Sequence, residues 1–158
     1  MACKLGMHAI CWGVIIFGIF LSPYTLRAQQ SKKQVESVKR FKDEHGPGWI
    51  IRWHPGAQTP SIMYGGKTKP DEDIRSSGGD EKVARKFLST FCDLFKIRNI
   101  HDEWIIETRQ SYAGMKYIDL AQTFRGIKVY SGSYTVSMDA DGSITSIAGN
   151  FCPDIDIS

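Results

Sequence analysis

Any chemistry in this 158-residue chain would have to start from its histidines, acids, serines and glycines. A zinc peptidase helix needs His-Glu-x-x-His, because two imidazoles one helical turn apart can then share a metal. His45, His54 and His101 include no pair four residues apart. His101-Asp102-Glu103 gathers three ligand types, but consecutive residues point in different directions, and the cluster reads as a solvated turn. Gly65-Gly66-Lys67-Thr68 echoes the end of a phosphate-binding loop, yet Ser61 stands where that motif starts with glycine. Gly132-Ser133 lacks the Gly-x-Ser-x-Gly frame of a nucleophile elbow and falls inside a strand pattern. Asp139-Ala140-Asp141-Gly142-Ser143 begins like a calcium loop, but Asn150 replaces the twelfth-position Glu and strands flank it where helices are required. A hairpin turn accounts for it. Asp154 and Asp156 are further acids that could join Asp139 or Asp141 around a cation, with nothing in the spacing to favour that over solvation. Trp49, Trp53 and Trp104 alternate with aliphatics, which suits a core or sheet face better than a sugar platform. No catalytic residue and no metal ligand set emerges, so the expectation is a non-enzymatic chain without a cofactor of its own.

The elements that would position these residues follow from hydropathy patterning. Lys4 and His8 precede an apolar run from Ala9 to Leu21 and then a polar stretch, the order of a secretory signal. The run is shorter than the roughly 20 residues of a membrane-spanning helix. Leu26 and Ala28 fit a cleavage after Ala28. Residues 1–28 are therefore expected to be a removable signal peptide, the destination secreted or periplasmic, and the mature chain free of the membrane. Cleavage removes Lys4 and Arg27 from 20 basic residues and none of the 17 acidic ones, so the formal charge falls from +3 to +1. That balance offers no footprint for nucleic acid. Cys92 and Cys152 survive processing; in an oxidising compartment they either bridge, if their Cα atoms come within about 7 Å, or stand as separate thiols.

Residues 31–44 predict a marginal helix with an apolar stripe at Val35, Val38 and Phe41, stopped by His45-Gly46-Pro47-Gly48. Trp49–Trp53 and Pro60–Tyr64 predict a hairpin, and 65–79 a surface loop. Asp80 is placed to cap a helix whose apolar positions are Val83, Ala84, Phe87, Leu88, Phe91, Leu94 and Phe95. Four strand patterns follow, at 103–108, 115–124, 127–138 and 143–148, with turns at Gly114, Arg125-Gly126 and Asp141-Gly142; the last is expected to put both its residues at positive φ. The fold class is α+β: an antiparallel meander with one main amphipathic helix on one face, preceded by a short hairpin and a marginal helix. The divisions are 1–28 leader, 29–79 helix, hairpin and loop, 80–151 main domain, and 152–158 an extended linker or cut-short end.

The stretch from Tyr117 to Gly132, continuing through Tyr134–Gly142, resembles the FTP domain, the fungalysin/thermolysin propeptide module. Gln122, Gly126, Ile127, Val129, Tyr130, Gly132, Asp141, Gly142 and Gly149 occupy the motif's places, and Ala84, Phe87 and Leu88 match its preceding helix. Lys128 stands where the family usually has Pro, and Ser131 where it has the first Gly of a pair. The resemblance implies an exported pro-region that inhibits a zinc metallopeptidase and assists its folding, acting on the catalytic domain in cis, as the front of a longer precursor, or in trans. Zinc is then expected only in that peptidase. Gln122, Phe124, Gly126, Ile127, Val129 and Tyr130 are the implied partner-binding residues; Gly132, Asp141, Gly142 and Gly149 are structural. Gln122 is a polar residue in line with Ile118, Leu120 and Phe124, and its amide could tie neighbouring strands or a partner's backbone. The competing reading is a stand-alone protein-binding module that uses the Trp49–Tyr64 hairpin and sheet edges.

Overall fold

The computed structural model describes residues 30–69, 72–98, 100 and 104–155. The expected leader, the His101-Asp102-Glu103 cluster and Asp156 lie outside them. The element order is α1 (Lys32–His45), β1 (Ile50–Trp53), β2 (Pro60–Tyr64), α2 (Glu72–Thr90), α3 (Cys92–Phe95), β3 (Trp104–Tyr112), β4 (Met115–Phe124), β5 (Ile127–Met138) and β6 (Ile144–Asn150). The strands form one open antiparallel sheet in the order β1-β2-β6-β5-β4-β3. This is the α+β meander that the patterning calls for.

Alternation puts Met63, Trp104, Ile118, Leu120, Tyr134, Val136, Met138 and Ile147 into one core with the helices. All seven apolar positions expected on the main helix are buried there. Aromatic rings run through this core. Phe151 stacks on Trp104 (centroids 5.3 Å), Trp104 on Tyr134 (5.5 Å), and Tyr134 meets Phe95 edge-on (5.4 Å). Burying each such side chain contributes about 1.5–3 kcal/mol, so this face holds the sheet and helices together.

Four local expectations are corrected. In α1 the buried residues are Gln34, Ser37 and Phe41, whereas Val35 faces out. The reason is polar: the Gln34 amide donates to the carbonyls of Gln58 (2.7 Å) and Leu94 (3.0 Å), which fixes the helix's rotation. The expected loop at 65–79 is helical from Glu72, with a kink at Gly79 (φ 71°) where α2 resumes. Asp80 follows the kink, and both its carboxylate oxygens lie 2.9–3.0 Å from the Lys116 ammonium on β4. The main helix breaks at Phe91, and α3 ends on Lys96 in the left-handed region (φ 59°). In the β5–β6 connection Gly142 is at positive φ and Asp141 is not; the Asp139 N–H donates to the Ser143 carbonyl and the Gly142 N–H to the Asp139 carbonyl. A type I turn followed by one left-handed residue explains this better than a two-residue turn.

Candidate partner-binding surface

The β4–β5 hairpin carries the densest set of residues singled out by sequence. Arg125 (φ 51°) and Gly126 (φ 78°) both take positive φ between the paired Phe124 and Ile127, the turn whose twist matches that of the strands. The Arg125 guanidinium lies over the Phe124 ring at 5.2 Å. Lys128, in the place of the family's proline, pairs with Thr123 and forms an ion pair with Glu107 of β3.

Pairing then breaks. Thr123 faces Lys128 and Ala121 faces Ser133, so Gln122 alone stands opposite four residues, Val129–Gly132. The surplus chain forms a bulge that pushes Tyr130 out to 94% exposure, beside Ile127 at 71%. Ile127 and Tyr130 are thus the large apolar side chains left exposed on this hairpin. Ser131, where the family has glycine, adopts φ 60°.

Gln122 faces the other way. It is 2% exposed, and its amide makes two hydrogen bonds to the backbone of Cys152: Nε2 donates to the Cys152 carbonyl (2.8 Å) and the Cys152 N–H donates to Oε1 (2.9 Å). Gly132 lies against it, since a Cβ there would sit 2.7 Å from Oε1 and 2.9 Å from the Gln122 Cβ. Gly149 is tighter still, with an added Cβ 2.0 Å from the Ser133 carbonyl oxygen. The six residues implied for partner contact thus divide. Ile127 and Tyr130 are open, Gly126 is exposed at the turn, Phe124 and Val129 are half-buried, and Gln122 is committed inside the fold. Sequence reasoning missed Cys152 as Gln122's partner, because a backbone acceptor and donor carry no side-chain signature.

The other candidates are separated. Asp139 and Asp141 hold the Lys67 ammonium at 2.6 and 3.0 Å, so a cation is already present there as a side chain. The Ser143 N–H, and after it Lys67, lowers the Asp141 carboxyl to about 2. Asp154 sits instead 3.6 Å from Arg98. Among the described residues no group of three His, Cys, Asp or Glu side chains is placed to hold a metal. Cys92 and Cys152 are free thiols, so the bridged alternative is not formed. Trp49 and Trp104 are buried and Trp53 packs against the core. His45 lies among Phe41, Phe87 and Phe91 with centroids 5.3–6.0 Å away, its Nδ1 buried without a partner; burial lowers its pKa. No helix among the described residues is long and apolar enough to cross a membrane.

Residues 105–151 match the family model of the Fungalysin/Thermolysin Propeptide Motif, so the chain carries that motif in β3–β6. The chain is also similar to a bacillolysin of Brevibacillus brevis, 34% identical over 109 residues, which is 67% of this chain and 20% of that protein. It spans about a fifth of the length of that curated relative. Among solved structures it is similar to the Bacillus megaterium YpeB C-terminal domain, with a TM-score of 0.46 and 15% identity over 80% of this chain and 69% of that one.

Proposed function

We propose, from the fungalysin/thermolysin propeptide motif that residues 105–151 carry, that the chain is the pro-region of an exported zinc metallopeptidase, which it inhibits and helps to fold. The motif and the bacillolysin similarity together support a propeptide role, and the surface that suits it is the β4–β5 end with Ile127 and Tyr130 exposed. In this reading the chain performs no catalysis. Zinc and its activated water belong to the peptidase, and residues 1–28 carry the protein out of the cytosol.

A pro-region of this kind binds the native enzyme, and so lowers the free energy of the folded peptidase by mass action. A pre-formed surface helps, because little ordering cost is left for the encounter. The β4–β5 turn and bulge meet that requirement: the turn is fixed by Arg125-Gly126 and the bulge rests on Gln122. The single observation that carries the proposal is the motif match over β3–β6. The test is refolding of a denatured bacillolysin-type peptidase with and without the chain added in trans. A several-fold greater yield of active enzyme is expected; an unchanged yield with the native partner counts against the folding role.

A further inference from the structure

We propose that Gln122 is a relay between the segment after β6 and the exposed bulge of β5, so that the hold on Phe151–Asp154 sets the order of the Val129–Gly132 surface. The use of this relay in releasing a partner rests on the propeptide reading; the relay itself does not.

Phe151–Asp154 makes no strand, yet it is held at successive points. The Phe151 ring is buried against Trp104, and its carbonyl accepts from the Thr59 hydroxyl at 3.3 Å. Both backbone groups of Cys152 are bound by Gln122, and Asp154 meets Arg98. Gln122 mimics a neighbouring strand for this one residue. The same side chain supports the bulge, since Gly132 leaves no room for a Cβ between itself and Gln122, and Val129 lies on the other side of that position, 3.2 Å from it.

The coupling follows from burial. A buried amide that loses its partners suffers the desolvation penalty in full, so Gln122 must reorient when Cys152 moves away. The space beside it is the bulge. Ser131 is held there in a left-handed conformation that an L-residue adopts only under support from its surroundings. Displacement of Phe151–Asp154 therefore loosens the platform under Tyr130. In a pro-region, pulling on the chain beyond Asn150 then weakens the surface that grips the enzyme.

The test uses the full chain and NMR relaxation. Cys152→Pro removes the N–H that reaches Oε1, and Thr59→Val removes the hydroxyl that holds the Phe151 carbonyl; both residues lie outside the Val129–Gly132 segment. Each variant is expected to lower the backbone order parameters of Val129–Gly132 from about 0.85 toward 0.6 or below while Ile118 and Val136 stay rigid. In a Gln122→Met background, which keeps the length but not the amide, the same substitutions are expected to add no further loss at the bulge. An unchanged bulge in the two variants overturns the proposal, as does an equal loss with and without the Gln122 amide. Should Cys152→Pro fail to fold, Thr59→Val carries the test. No peptidase is needed, so a failure to inhibit would refute the propeptide reading and leave this result to stand on its own.

Discussion

The Tyr134 hydroxyl donates a 2.7 Å hydrogen bond to the Pro60 carbonyl, tying the middle of the sheet to the first residue of β2 inside the core. Tyr134 is 0% exposed, and burial pushes its pKa well above the ordinary phenol range, so it acts as a neutral donor at any working pH. Tyr134→Phe is expected to keep the ring stack on Trp104 but leave the Pro60 carbonyl without its donor. The cost is about 1–3 kcal/mol, read as a lower urea midpoint with an unchanged slope. An unshifted midpoint would mean that this bond contributes nothing.

Two glycines differ in what a methyl group would strike. At Gly149 (φ 153°) the obstacle is the Ser133 carbonyl oxygen, which cannot move without the β5–β6 ladder; at Gly132 it is the side chain of Gln122. Gly149→Ala is therefore expected to destabilise the fold more than Gly132→Ala, the latter by about 1–3 kcal/mol. Equal midpoints in denaturation would contradict the close packing at Gly149.

Ser131 stands at φ 60°, where glycine is free of the Cβ penalty. Ser131→Gly is expected to raise stability by up to about 1 kcal/mol, since relief of left-handed strain worth 1–2 kcal/mol exceeds the extra chain entropy lost. A clear fall in melting temperature would count against the left-handed geometry at this position.

His45 sets a pH dependence with a definite sign. In the unfolded chain it titrates near 6.5. In the fold its pKa is lowered, by burial first, with Glu44 opposing and Lys69 adding to the shift; Lys86 also lines the cavity around the ring. The folded state thus prefers neutral His45, so its contribution is present above about pH 6.5 and is lost as pH falls through the lower folded value. Glu81, held down by Arg109, and Asp141 act in the carboxylate range below that window. Denaturation between pH 7.5 and 5 is expected to show a decline that His45→Phe flattens. A decline of the same slope in that variant would place the cause elsewhere.

Sequence patterning suffices for much of this architecture. The bounds of β4 and β5 are legible because Ile118, Leu120, Tyr134, Val136 and Met138 alternate cleanly and Arg125-Gly126 marks the turn between them. The seven-position face of the main helix is equally clear, because a stripe of large apolar groups at three-and-four spacing has one burial solution. The bulge is not legible. Gln122, which lies beneath it, meets the backbone of Cys152, 30 residues further on, and no local propensity encodes that meeting. Likewise Gln34 outranks Val35 in α1 only because two carbonyls, at Gln58 and Leu94, are brought within reach by tertiary folding. Motif resemblance implies a set of partner-binding residues, and the fold sorts them: Ile127 and Tyr130 face outward while Gln122 holds the interior.

The most direct measurement of the propeptide account is inhibition of a bacillolysin-type metallopeptidase by the purified chain, compared with a variant carrying Ile127→Asp and Tyr130→Asp. Both side chains are exposed, so the variant is expected to fold with unchanged stability. Inhibition at micromolar or lower concentration is expected from the native surface, weakened at least about tenfold in the variant, the loss of roughly 1.4 kcal/mol or more of binding energy. Absence of inhibition by the native chain, tested against the peptidase from its own source, would contradict it.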